Sequence, residues 1–129
     1  MSKKLLIAAA IGLVALPGQA TAAGELSYEE VANCAAFNIL TMRIFSQGGE
    51  PEKNKDKVEK YKSQAVALSV VAVAIAKKDS KVVMDDITTR NQAMYAKIDD
   101  QAYMSKLIET NAKTCNELGE AAVQALKDK

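Results

Sequence analysis

The stretch MSKLIETNAKTCNELGEAAVQA, residues 104–125, decides the fold. Met104, Ile108, Asn111, Cys115, Leu118, Ala122 and Ala125 recur in it at alternating intervals of four and three. That spacing gathers them into one seam along a helix, the seam by which bundle helices pack. Gly119 stands beside the seam. A glycine there costs a helix about 1 kcal/mol against alanine when exposed; a close backbone approach from a neighbour accounts for it, and a tolerated weak spot is the alternative.

Cys115 lies in this seam, and the chain holds one other cysteine, Cys34. Residues 31–42 around it, VANCAAFNILTM, carry no charge. Ser27 and Glu30 precede them as an S-x-x-E capping box, with Leu26 and Val31 at the positions of a hydrophobic staple. A first helix is therefore predicted from Tyr28 to Gln47, ending at Gly48-Gly49. Val31, Cys34, Asn38, Met42 and Phe45 form one stripe on it, and Phe37, Leu40 and Ile44 form another. Its apolar surface wraps more than half the circumference, where a surface helix shows one stripe. A central helix flanked by two neighbours accounts for this, and so does a second buried contact with a partner or an apolar ligand.

Two further helices lie between. Pro51 suits a first turn, and opposite charges at Glu52–Lys55, Asp56–Lys60 and Glu59–Lys62 have helical spacing. Residues 65–76, AVALSVVAVAIA, are uncharged. The lead-in Val58, Tyr61, Ala65, Leu68, Ala72 and Ile75 makes them helix and not strand, and they are too few to span a bilayer. Asp79-Ser80 caps a third helix, whose stripe of Val83, Ile87, Met94 and Ile98 is interrupted at Arg90 and Asn91. Asp99-Asp100 marks a turn before the fourth helix; a helix continuing through it is the alternative.

The fold class that follows is all-α: an up-down-up-down four-helix bundle braced by one disulfide between the first and fourth helices. Setting Cys34 opposite Cys115 brings Val31 to Leu118, Met42 to Leu107 and Ile108, Phe45 to Met104, and Asn38 to Asn111. The last is predicted as a buried polar pair that fixes helix pairing. Catalytic cysteine pairs sit close together at a helix N-terminus. These two lie well inside helices, so the pair reads as a structural bridge.

Residues 1–22 read as a secretory signal peptide. Lys3 and Lys4 precede an uncharged core from Leu5 to Leu16, and Ala20-Thr21-Ala22 supplies the small residues of a cleavage site. Residues 23–129 then form a single helical-bundle domain. No Arg-Arg pair precedes the core, which indicates the general secretory route. The expected destination is the bacterial periplasm, with extracellular release the lesser alternative, and no membrane span after cleavage.

Composition excludes several chemistries. Histidine is absent, which removes the commonest general base and metal ligand. No heme-attachment motif, phosphate loop or nucleophile elbow occurs. No catalytic, cofactor-binding or metal-binding residue is therefore assigned, and an enzyme is not expected. Without Lys3 and Lys4 the chain carries 15 basic against 16 acidic residues, a poor balance for nucleic acid. The L-T-x-x-Q motif of periplasmic stress chaperones built from helical hairpins does not occur.

What survives is a non-enzymatic binding protein of the envelope, such as an inhibitor, an immunity protein for a secreted toxin, or a small chaperone. Its first two helices carry more uncharged surface than a minimal core requires. The candidate interaction surface is Phe37, Leu40 and Ile44 with the only two arginines, Arg43 and Arg90. The partner is expected to be a protein, with a homodimer through the first helix also open. A carrier holding a small apolar ligand between alanine-rich helices is the alternative.

Overall fold

Ser27 begins the first helix as expected: its side-chain oxygen accepts the Glu30 N–H at 3.1 Å, and its hydroxyl donates to Glu30 Oε1 at 3.3 Å. The computed structural model describes residues 26–48 and 51–128. The proposed leader and its cut after Ala22 lie outside them, as does Gly49. Four helices follow: α1 Tyr28–Ser46, α2 Pro51–Ala76, α3 Ser80–Tyr95 and α4 Gln101–Lys127. Asp79 caps α3 by accepting from the Lys81 N–H at 2.8 Å. Asp100 caps α4 through the Tyr103 N–H at 3.0 Å, so the chain turns at Asp99-Asp100 and the two helices are separate. None of these helices is long and apolar enough to cross a membrane.

Cys34 and Cys115 are joined, with their Cα atoms 5.0 Å apart, and the bridge ties α1 to α4 across 81 residues of sequence. The four-helix bundle therefore stands as predicted, with its brace where the cysteine positions put it. Its packing is not a plain square. α1 and α2 share the largest interface, both touch α3 and α4, and α3 and α4 do not pack on each other. The core lies mainly on α1: Val31, Ala32, Ala35 and Ala36 are fully buried, and Leu68, Ile87 and Cys115 close over them from the three other helices. Alanine at so many of these positions lets the helices approach closely.

This arrangement settles why α1 has no polar face. Three neighbours cover it, one more than the sequence reading allowed. Asn91, which interrupts the stripe of α3, is buried too. Its amide donates to the Ala36 carbonyl at 3.2 Å and its oxygen accepts from Arg43 Nη1 at 3.1 Å, so a polar residue fills a core position with its hydrogen bonds made.

The lower register of α1 on α4 differs from the expectation. Asn38 donates to Gln64 Oε1 of α2 at 3.1 Å, while Asn111 accepts from Asn33 Nδ2 at 3.2 Å. The predicted Asn38–Asn111 pair is therefore not made. A helix advances about 100° per residue, which turns Asn38 and Met42 about 40° and 80° from Cys34, toward α2. Asn33 turns about 100° the other way, toward Asn111. Phe45 follows Asn38 and stacks on Tyr61, ring centroids 5.9 Å apart. Ile108 is left 47% exposed, although the seam placed it inside.

Candidate interaction surface

The residues singled out from sequence do not make a surface. Phe37 and Leu40 are buried in the core. Of the apolar three, Ile44 alone is exposed, at 37%. Arg43 lies with its guanidinium 3.7 Å from the centroid of the Tyr95 ring while donating to Asn91. A planar guanidinium over an aromatic face is a favourable cation–π contact, and here it pins α1 to α3.

Arg90 does the same at the other end of that interface. It donates to Glu29 Oε1 at 2.9 Å and to Asp86 Oδ2 at 3.1 Å. Tyr28 donates to the same Asp86 oxygen at 2.6 Å. Burial and the bond to Asp86 push the Tyr28 hydroxyl up to about 12. The Tyr28 hydrogen bond, with help from Arg90, holds the Asp86 carboxyl below its ordinary value against some burial. Both arginines are thus internal ties between α1 and α3.

Large apolar side chains are exposed on each of the four helices, among them Val82 of α3 at 53% and Ile108 of α4 at 47%, and those of α2 adjoin a groove. Val66 and Val70 are 56% and 48% exposed, and Met84 at the start of α3 is 39% exposed. Position 66 and position 70 lie one turn apart, so their side chains form a ridge along α2. The ridge borders an open groove of about 370 Å³ between α2, α1 and the first turns of α3, whose walls include Ile39, Met42, Val73 and Met84. On its other side Val66 also borders a second groove of about 380 Å³ toward α4, with Val123 and Leu126. Ridges of apolar side chains left open between polar rims mark interaction sites in soluble proteins.

The sequence carried a signal for this ridge. A helix buried on one side shows a polar face on the other, and residues 65–76 show none. Among the described residues no cluster of three or more His, Cys, Asp or Glu side chains is placed to hold a metal ion. No protein-family model, no curated protein and no solved structure matches this chain.

Proposed function

We propose that this chain is an exported, non-enzymatic binding protein of the bacterial envelope, of the inhibitor, immunity or small-chaperone kind, acting through the outer ridge of α2. The observation that carries the reading is the exposure of Val66 and Val70 on a helix with no charge from Ala65 to Ala76. Leaving two β-branched side chains about half exposed on adjoining turns forgoes burial worth roughly 1 kcal/mol each, about half the value of full burial. A partner that covers them recovers it. The single disulfide suits an oxidising compartment, and the absence of histidine from the whole chain supports binding over catalysis.

A photo-crosslinking residue at Val66, used in the periplasm of the native host, tests this against the same residue at Thr89 on the exposed face of α3. The reading expects a discrete protein adduct from position 66 and none from position 89. Equal labelling from both, or none from either, contradicts it.

The groove beside the ridge favours a second reading. Its apolar walls and volume fall within the range of small-ligand sites, which suits a carrier of an apolar molecule. Native mass spectrometry of protein purified from its host distinguishes the two: a carrier shows a bound mass of a few hundred daltons, by the size such a groove encloses.

A further inference from the structure

We infer that the α2 ridge takes a second copy of this chain, packed antiparallel across a two-fold axis near Leu68. The inference rests on reading the ridge as a binding surface and adds what lies on it. Shape is the first argument. Val66 and Val70 form a ridge, and the groove of Ile39, Met42, Val73 and Met84 runs directly beside it. A two-fold pairing requires a surface that is its own complement. Here each copy's ridge faces the other copy's groove, with Val66 of one near Val70 of the other.

Charge is the second argument, and it fixes the direction. Glu59, Lys62, Val66, Val70 and Val73 lie along the same side of α2, and Lys77 follows its last residue, its backbone N–H still donating to the Val73 carbonyl at 3.0 Å. In the antiparallel register that centres on position 68, Glu59 of each copy meets Lys77 of the other. The two pairs close both ends of the valine seam, about 27 Å apart at the rise of a helix. A parallel register places Glu59 against Glu59 and Lys77 against Lys77, so like charges oppose it. Among the described residues neither Glu59 nor Lys77 has an ion-pair partner within its own chain. Both are exposed. Lys62 falls opposite Ala74, which leaves its ammonium in solvent while its stem covers apolar surface.

Sedimentation velocity from micromolar to millimolar concentration tests the proposal. The wild type is expected to shift from monomer to dimer across that range, and Val66→Glu to stay monomeric with an unchanged helical circular dichroism spectrum. Glu59→Lys and Lys77→Glu alone are each expected to weaken the dimer about tenfold by setting like charges together. The double variant Glu59→Lys/Lys77→Glu restores it. A wild type that is monomeric throughout overturns the inference, as does a dimer indifferent to Val66→Glu or a double variant as weak as the singles. If the wild type is monomeric yet position 66 still crosslinks to another protein, the second copy is excluded while the binding surface stands. If position 66 crosslinks nothing, including this chain, both fail.

Discussion

Gln64 of α2 uses both ends of its amide: its oxygen accepts from Asn38 of α1 at 3.1 Å and its nitrogen donates to Asn116 of α4 at 3.3 Å. It is 2% exposed, and its side chain lies where a Cβ on Gly119 would stand, 2.5 Å from Oε1 and 2.7 Å from Cδ. Gly119→Ala gains helix propensity of about 1 kcal/mol. It also forces Gln64 off partners whose loss leaves buried polar groups unpaired, at roughly 1–3 kcal/mol, and it overpacks the contact. A net loss of about 1–2 kcal/mol is expected in urea unfolding, whereas in a Gln64→Ala background, where the clash is gone, Gly119→Ala is expected to cost nothing further. Asn38→Leu strands the Gln64 oxygen and is expected to destabilise by about 1–3 kcal/mol. Had Asn38 faced Asn111, the double leucine variant would have been the stabilising one. From the sequence, Gly119 suggested a neighbouring backbone close by, and what stands there is the Gln64 side chain instead. Which neighbour could not be read. Gln64 sits where the charged half of α2 gives way to the apolar half, and nothing in its spacing marks it as buried.

The helices themselves announce their ends more plainly than their partners. Ser27, Asp79 and Asp100 cap three of them, because a side-chain oxygen at the N-cap is a local device that needs no tertiary context. The end of α2 is different. Lys77 has φ of 54°, the left-handed conformation in which a side chain costs about 1 kcal/mol or more and glycine costs little. Lys77→Gly is expected to raise stability by about 1 kcal/mol in thermal or urea unfolding; a loss would mean the turn is held by the lysine side chain. The tie between α1 and α3 carries a pH signature. Asp86 has a lowered folded pKa, so its stabilising effect is present above the ordinary carboxyl range and is lost as pH falls below about 4. Tyr28 is raised to about 12. Its contribution is present below the ordinary tyrosine value of about 10 and is lost as pH rises from there toward 12. Tyr28→Phe should therefore lie below the wild type in urea midpoint at pH 7, with the gap narrowing below pH 4 and above pH 10. A gap that is constant with pH would contradict the pairing. None of this was legible beforehand, since Tyr28, Glu29, Asp86 and Arg90 are brought together by the α1–α3 packing and by no local motif.

At the scale of the whole molecule, the disulfide and the burial of α1 belong to one design. The bridge closes a loop of 81 residues, which the chain-entropy relation values at roughly 4–4.5 kcal/mol, a large share of the 5–15 kcal/mol of a typical domain. Cys34→Ser/Cys115→Ser is expected to lower unfolding stability by about 2–5 kcal/mol and to leave the crosslinking behaviour of position 66 intact while the fold persists. Loss of binding with the fold retained would instead make the thiols functional. The bundle and its brace were readable because two cysteines in helical seams admit one pairing. The exposed face was readable only in part: the missing polar face of residues 65–76 signalled it, but periodicity counts the apolar positions round a helix and is silent on which of them neighbours cover. α1 and α2 each touch all three other helices, yet Phe37 and Leu40 of α1 are covered while Val66 and Val70 of α2 are left exposed. The most direct test is a dilution series followed by methyl and amide NMR. Signals of Val66, Val70, Val73 and Met84, with Glu59 and Lys77 at the ends, are expected to move with concentration while those of Phe37 and Leu40 stay fixed. Shifts gathered on Phe37, Leu40 and Ile44, or none anywhere up to millimolar protein, would contradict the account.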